Sequence, residues 1–121
     1  MSDIDHDRYR VFLEDIADGF FETNLKGDFI FFNNAFCNRI FGYTSDEMKN
    51  RNYRMFMDKE TGKIAFNSFS GLYQKGSGIS HSTWKIRNRD GEFHTLDVSA
   101  ELIFDETGKM AGFRGIAHDI T

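Results

Sequence analysis

Residues 32–48 of this 121-residue chain read FNNAFCNRIFGYTSDEM, and this stretch contains two helix starts. Asn33 and Asn34 favour the N-terminal cap of a helix, and apolar residues follow at positions 36, 37, 40 and 41. Gly42 ends that helix, because glycine readily adopts the left-handed conformation beyond a last turn. Thr44 and Glu47 have the spacing of a capping box, in which each side chain binds the backbone N–H of the other. The stretch therefore predicts two short helices in succession.

Strand-like sequence lies on both sides of these helices. The predicted strands are 20–25 and 28–32, joined by the turn Lys26-Gly27, and then 80–88, 93–104 and 110–120, joined by turns at 89–91 and 105–108. Between the two groups, Asp58 can cap a longer helix over residues 59–74. Helices placed between two sets of hairpin-linked strands predict an α+β fold with an antiparallel sheet.

The composition excludes several classes of protein. The chain has 14 Phe and no Pro, whereas disordered chains are poor in aromatic residues. The net charge is −4 and no basic stripe is present, so we expect no nucleic-acid partner. No apolar run approaches the roughly 18–20 residues that span a bilayer, and the N-terminus is too charged for a signal peptide, so we expect no membrane contact. Cys37 is the single cysteine, which agrees with a reducing, cytoplasmic compartment.

The N-terminal segment has a different pattern from the rest. Within residues 3–17 the apolar side chains recur at helical spacing, which predicts an amphipathic helix. These side chains are Tyr9, Phe12, Leu13 and Ile16. Asp18-Gly19 ends the helix, so we divide the chain into a flanking helix over 1–17 and a domain over 18–121.

Three motifs in this order resemble the PAS domain, a sensory fold of multidomain signalling proteins. They are residues 32–48, the turn Asp90-Gly91, and residues 112–121 with the sequence GFRGIAHDIT. The resemblance covers residues 7–121 and implies a five-stranded antiparallel sheet in the order 2-1-5-4-3, with the helices packed on one face. PAS domains usually pass into a connector helix at an Asp-Ile-Thr motif, so we expect a fragment of a longer sensor; the alternative is a complete free-standing protein.

The resemblance to flavin-binding PAS domains also indicates which strand residues face the pocket. On that analogy the inward residues include Ile30, Ile86, Ala100, Gly115 and Ala117 in addition to those that we expect to form the ligand pocket. The expected pocket residues are Phe21, Thr23, Phe32, Cys37, Phe69, Trp84, Leu96, Val98 and Phe113.

The opposite face of the sheet is expected to carry several apolar side chains. They are Phe20, Phe29, Phe31, Phe93 and Ile116. A half-solvated sheet is mostly polar on its outer side, so this face requires a cover. The N-terminal stripe is the expected cover, from the same chain or from a second subunit. We therefore predict a homodimer whose contacts are Tyr9, Phe12, Leu13, Ile16, Phe20 and Phe31.

The sequence gives no support for a metal or a large cofactor. The four histidines lack metal-site spacing, and residues 58–76 contain no His where haem-binding PAS domains carry their iron ligand; His81 is the nearest substitute. Residues 50–56 lack the Cys of photoactive flavin domains, and Ala117 stands where those domains carry Gln. Trp84 could stack on a flavin, and Cys37 could have a redox role, but both fit better as core residues. We therefore expect no cofactor, with a small-molecule ligand left open.

The sequence contains no recognisable enzyme motif. No GxSxG sequence, phosphate-binding Gly loop or paired-carboxylate spacing is present, and Asp97 and Glu101 share the face assigned to solvent. A cone-shaped α+β barrel resembling the ketosteroid isomerases would require an ionisable group in its cavity, and the inward set contains none. We expect a protein that is not an enzyme.

The expected function is therefore signal input for a bacterial sensor of the histidine kinase or diguanylate cyclase type. A small ligand or a partner would bind between the long helix and the sheet. Asp119, Ile120 and Thr121 would pass the change to a downstream output domain. The alternative is a ligand-free PAS module that acts only in dimerisation and protein–protein interaction. The two readings differ in whether the Phe side chains fill the pocket.

Overall fold

The computed structural model describes residues 17–121. The predicted N-terminal helix, with Tyr9, Phe12, Leu13 and Ile16, lies outside the described residues, so this helix and its dimer contacts stay predictions. The division into a flanking helix and a domain over 18–121 likewise stays a prediction.

Five strands form one antiparallel sheet. They are β1 (Gly19–Asn24), β2 (Phe29–Phe32), β3 (Ile79–Arg87), β4 (Phe93–Phe104) and β5 (Met110–Asp119). Their order in the sheet is β2-β1-β5-β4-β3. This confirms the predicted α+β fold and its strand order, with strand ends that differ from the predicted ones by one residue at most. The last strand therefore lies in the centre of the sheet, between β1 and β4.

Four helical segments connect β2 to β3. They are a π-helix (Ala35–Ile40), helix α1 (Ser45–Met48), a 3₁₀-helix (Tyr53–Phe56) and the long helix α2 (Lys59–Lys75). Their buried residues form a single hydrophobic core with the inward side chains of the sheet. The helices therefore cover one face of the sheet, as predicted.

The helix starts follow the chemistry expected from the sequence. The Thr44 hydroxyl accepts from the Glu47 amide at 3.2 Å, and the Glu47 carboxylate accepts from the Thr44 amide at 3.0 Å, which confirms the capping box. Asp58 Oδ1 accepts from the Thr61 amide at 2.8 Å at the start of α2. Asn33, the residue before the N-cap Asn34 of the π-helix, accepts with its Oδ1 from the amides of both Phe36 and Phe20. This buried side chain thereby joins the π-helix to β1.

One predicted face assignment is wrong, and a β-bulge explains it. Phe21 pairs with Phe32 and Glu22 with Phe31, but Thr23 pairs with Phe29, so Ile30 is an extra residue in β2. A bulge breaks the two-residue alternation of a strand, and residues beyond it change face. Phe29 was expected on the outer face and is fully buried in the core. Ile30 was expected inward and is 45% exposed.

Candidate functional site

The expected pocket residues lie where the inner face of the sheet meets the helices. All of them are buried except Phe32, which is half-buried. Their rings pack directly on one another: Trp84 lies 5.5 Å from Phe21 and 6.1 Å from Phe69, and Phe69 lies 4.7 Å from Phe113, between ring centroids. The centre of the expected pocket is therefore a packed core, and only some of its members reach open space.

The largest open space described beside these residues is a groove along α2. It has a volume of about 580 Å³ and lies between α2, the β1–β2 turn, the 3₁₀-helix and β5. We call it the α2 groove. Its lining residues are Leu25, Lys26, Gly27, Tyr53, Arg54, Phe66, Phe69, Ser70, Tyr73 and Phe113. Phe69 and Phe113 are the two expected pocket residues that it includes.

Aromatic rings form the floor of the α2 groove. Tyr53, Phe69 and Phe113 are buried and present ring surface to the groove. The Tyr53 ring meets the Phe69 ring edge-on, with 5.2 Å between centroids. It also stacks on the Trp84 ring, with 6.2 Å between centroids. Trp84, the only tryptophan of the chain, therefore lies in direct ring contact with the floor of the groove.

The rim of the α2 groove is apolar and exposed. Phe66 and Tyr73 on α2 are 49% and 51% exposed, and Leu25 in the β1–β2 turn is also exposed. Several exposed apolar side chains around one groove mark a binding site more often than a single exposed apolar residue does. The groove thus combines a fixed aromatic floor with a rim that an occupant would cover.

The β1–β2 turn is shaped to receive the Tyr53 ring. Gly27 has a φ of +91°, and a Cβ at this position would lie 2.4 Å from the Tyr53 ring. The Tyr53 amide donates to the Gly27 carbonyl at 3.1 Å. Only glycine allows both the left-handed backbone and this close approach. The turn and the 3₁₀-helix therefore meet as one wall of the groove.

Asn52 fastens this wall from the other side. Its Nδ2 donates to the Lys26 carbonyl at 2.8 Å and to Asp28 Oδ1 at 3.1 Å, while its Oδ1 accepts from the Arg54 amide. Asn24 Nδ2 donates to the other Asp28 oxygen. The pKa of Asp28 is held below its ordinary value, mainly by the hydrogen bond from Asn52 and then by that from Asn24, with a further contribution from the charge of Lys26. The carboxylate is thus ionised and engaged in supporting the turn.

Two cations and no carboxylate line the α2 groove. The Arg54 guanidinium lies 5.6 Å from the centroid of the Tyr53 ring and 5.3 Å from that of Phe66. Its Nε donates to the Tyr53 hydroxyl at 3.3 Å. Lys26 supplies the second positive charge. The site is therefore an aromatic groove whose charged lining side chains are both positive.

The groove and the end of the domain share a strand. Phe113 lies on β5, which runs on through His118 and Asp119 to the last residues of the chain. His118 Nδ1 lies 2.7 Å from Asp18 Oδ1, and His94 Nδ1 lies 2.8 Å from Asp119 Oδ2. Two histidine–aspartate contacts therefore surround the point at which β5 ends.

The predicted exit residues are held by a local hydrogen-bond network. Asp119 Oδ1 accepts from the amide and the hydroxyl of Thr121, and the Ile120 amide donates to the Thr95 carbonyl. Burial alone would raise the pKa of Asp119, but the Thr121 hydrogen bonds and His94 outweigh it and lower the pKa. The segment is thus held against β4 by hydrogen bonds.

A scan against family models decides the classification of the chain. A model described as "PAS domain" matches residues 17–121, which is every residue that the structure describes. The chain belongs to the PAS family. The resemblance drawn from residues 32–48, the Asp90-Gly91 turn and residues 112–121 is therefore confirmed.

Solved PAS domains have the same fold. A PAS domain from Colwellia psychrerythraea superposes with a TM-score of 0.83 at 22% identity and covers 98% of each chain. A domain of a sensory box sensor histidine kinase/response regulator from Geobacter sulfurreducens gives a TM-score of 0.76 at 25% identity, covering 95% of this chain and 94% of that chain. A PAS domain of an HTR-like protein from Haloarcula marismortui gives 0.76 at 20% identity, covering 97% and 93%. A search of curated proteins finds no significant match.

A second, smaller cavity of this PAS domain lies at the β2 edge. It has a volume of about 330 Å³ and contains the remaining two expected pocket residues that reach open space, Phe32 and Cys37. Cys37 is buried, and its sulfur lies 4.0 Å from the Asn34 carbonyl oxygen. The expected pocket is therefore divided: Phe32 and Cys37 lie at one edge of the sheet, and Phe69 and Phe113 lie at the α2 groove.

The outer face of the sheet carries the predicted apolar side chains with one exception. Phe93 is 71% exposed and Ile116 is also exposed, whereas Phe20 is buried and meets Phe31 edge-on at 5.9 Å. Phe29, as described above, belongs to the inner face. The face therefore remains apolar in part, and its role in dimerisation stays a prediction.

Residues 17–121 contain neither a metal-ligand cluster nor a helix suited to spanning a bilayer. No group of three or more His, Cys, Asp or Glu side chains is placed to hold a metal ion. None of the helices described is long and apolar enough to cross a membrane.

Most of the groove was missed by the sequence analysis. The missed residues are Leu25, Lys26, Gly27, Tyr53, Arg54, Phe66, Ser70 and Tyr73. One signal was available, because Phe66, Phe69 and Tyr73 lie at the helical spacing i, i+3, i+7 and mark one side of α2. The contact between Gly27 and Tyr53 joins residues 26 positions apart and leaves no local pattern.

Proposed function

We propose that this PAS domain is the signal-input module of a cytoplasmic sensor protein of the histidine kinase or diguanylate cyclase type. A small ligand occupies the α2 groove, and the change reaches a downstream output domain through the end of β5. The structural similarity to a domain of a sensor histidine kinase supports this role at the level of the family.

One observation carries the proposal: the groove floor and the chain exit are on the same strand. Phe113 forms part of the floor, and β5 continues from it to Asp119. Because β5 is paired with β1 on one side and β4 on the other, a displacement at Phe113 alters the pairing of a central strand. An occupant that binds two arrangements of β5 with unequal affinity would shift the population between them.

Native mass spectrometry tests whether the domain retains a small molecule. We expect protein purified without organic solvent to carry a non-covalent adduct. Tyr73→Glu places a charge on the exposed rim and should abolish the adduct. Phe104→Glu is the matched control, because Phe104 is similarly exposed but lies at the end of β4, away from the groove. If each of the three proteins is recorded only at the calculated mass of its own unmodified chain, ligand retention in the groove is contradicted.

The second candidate is a ligand-free module for dimerisation. The exposed Phe93 and Ile116 on the outer face favour it, as does the packing of Trp84 against Phe21 and Phe69 in the core. Light scattering of the whole chain and of a form lacking residues 1–17 distinguishes the contacts. We expect a homodimer that the deletion converts to a monomer. If the whole chain is monomeric even at high concentration, dimerisation is contradicted. If the form lacking residues 1–17 is still a dimer, the N-terminal segment is not the contact.

A further inference from the structure

We infer that the ligand of the α2 groove is a planar aromatic carboxylate, with its ring on the aromatic floor and its carboxylate at Arg54. The inference rests on the proposed function, since it names the class of ligand for the same site. It follows from three properties of the lining residues: their rings, their charge and their volume.

The rings favour a flat apolar body. Tyr53, Phe69 and Phe113 form a buried floor, and Phe66 and Tyr73 stand exposed on the α2 side. Aromatic pairs are stable when offset or edge-on, and each contributes beyond the burial of area alone. A planar ring system between the floor and the rim would meet several rings at once and would remove the exposed surface of the two rim residues from water.

The charges favour an anion and disfavour a cation. Arg54 and Lys26 are the only ionisable side chains of clear charge among the lining residues, and no Asp or Glu is included. Asp28, the carboxylate of the β1–β2 turn, is already bound by Asn52 and Asn24. Arg54 is held against the Tyr53 and Phe66 rings, so its guanidinium is oriented before a ligand arrives. A planar guanidinium matches a carboxylate with two parallel hydrogen bonds.

The volume favours a small molecule over a polymer. A space of about 580 Å³ lies within the range of roughly 300–1,000 Å³ that is typical of small-molecule sites. The floor is fixed by the contact between Gly27 and Tyr53 and by the Asn52 hydrogen bonds, so little ordering is needed on binding. A two-ring aromatic carboxylate is small enough for a space of this volume.

NMR titration of the whole chain with three matched probes tests the inference. The probes are 1-naphthoate, 1-naphthalenemethanol and 1-naphthylmethylamine, which share one ring system and differ in charge. We expect 1-naphthoate to shift the amides of the α2 groove and to bind about tenfold more tightly than the alcohol, because a charge-assisted hydrogen bond to Arg54 is added. The amine should bind least.

Three variants separate charge from structure. Arg54→Gln should reduce the affinity for 1-naphthoate to that of the alcohol, and Arg54→Lys should restore part of the preference for the anion. Arg87→Gln is the matched control, because Arg87 also lies over an aromatic ring, 5.5 Å from the centroid of Phe93, but outside the groove. This control should leave binding of all three probes unchanged.

The outcomes distinguish the inference from the proposed function. Equal binding of all three probes in the α2 groove would overturn the preference for an anion and leave a ligand-binding groove in place. If no probe shifts the amides of the groove, the inference is also overturned. The proposed function is tested separately, by whether native mass spectrometry detects an adduct. If Arg87→Gln loses 1-naphthoate binding, the anion binds at a different site, and the inference is overturned as well.

Discussion

His118 Nδ1 lies 2.7 Å from Asp18 Oδ1, so the last strand of the PAS domain is joined to the residue that precedes its first strand. The two residues are 100 positions apart in the sequence. Asp97 and Asp119 add negative charge near His118. The place where the chain enters the domain and the place where it leaves are therefore connected by a contact that depends on protonation.

We expect the His118 contact to weaken as the pH rises. The hydrogen bond and charge of Asp18 raise the pKa of His118 above its ordinary value of about 6.5. A raised pKa in the folded state means that the contact is fully present below the ordinary value and is lost as the pH passes the raised one. An NMR titration of the histidine ring protons measures this pKa directly.

Variants of two aspartates test the cause of this shift. Asp18→Asn should lower the pKa of His118. Asp105→Asn, which changes the β4–β5 turn at the other end of the strands, should leave it unaltered. Equal titration curves of His118 in the native protein and in Asp18→Asn would contradict the assigned contact.

Gly27→Ala should destabilise the domain more than an alanine at another left-handed glycine. The new Cβ would lie 2.4 Å from the Tyr53 ring, in addition to the strain of a φ of +91°. We expect a loss of about 3 kcal/mol in the free energy of unfolding, measured by urea denaturation, from backbone strain and overpacking together.

Gly108→Ala is the control for backbone strain alone. Gly108 has a φ of +83°, and nothing lies within 4 Å of the added Cβ. We expect this variant to lose about 1 kcal/mol, which is the usual cost of the left-handed conformation for a residue with a Cβ. Equal losses in the two variants would show that a Cβ at position 27 does not clash with the Tyr53 ring.

Asn33→Ala should destabilise the domain, because it removes the side chain that joins the π-helix to β1. The Asn33 side chain accepts from the amides of Phe20 and Phe36 and donates to the Asp18 carbonyl, and it is 1% exposed. Removing it leaves buried backbone groups without these partners, so we expect a loss of about 3 kcal/mol in urea denaturation.

An asparagine on the surface of α2 supplies the comparison. Asn67 is exposed, and Asn67→Ala should change the free energy of unfolding by no more than about 0.5 kcal/mol. A loss in Asn33→Ala no greater than in Asn67→Ala would contradict the structural role of Asn33.

The elements of the fold were predictable because their signals are local. The Thr44–Glu47 capping box, the Asp58 cap and the alternation within β4 are each contained in a few neighbouring residues. These signals predicted the elements, and the resemblance to PAS domains implied the strand order that the structure confirms. The β2 bulge was not predictable in this way, because the extra residue, Ile30, is revealed only by pairing with β1.

The candidate site was predicted less well than the fold. Phe69 and Phe113 were expected in the pocket and do reach the α2 groove, but Phe21 and Trp84 are packed within the core. The face of a strand indicates which side chains are buried, yet it does not show where packing leaves space. Arg54 was missed because its position depends on the rings of Tyr53 and Phe66, which come from different elements.

A covalent occupant placed in the α2 groove tests the proposed relay most directly, because it does not require the natural ligand. Ser70 lines the groove and Cys37 is only 4% exposed, so Ser70→Cys carrying one N-benzylmaleimide label, counted by mass spectrometry, places a benzyl group in the groove at a defined position. Ser77→Cys with the same label is the control, because Ser77 is exposed beyond the end of α2 and does not line the groove.

The measurement is amide hydrogen exchange at Ile120, whose N–H donates to the Thr95 carbonyl at the exit of the domain. If occupancy of the groove reaches the end of β5, the Ser70 adduct changes the exchange rate at Ile120 and the Ser77 adduct does not. If Ile120 exchanges at the same rate in both adducts and in the unlabelled protein, β5 does not relay the state of the groove, and the proposed sensory mechanism is wrong.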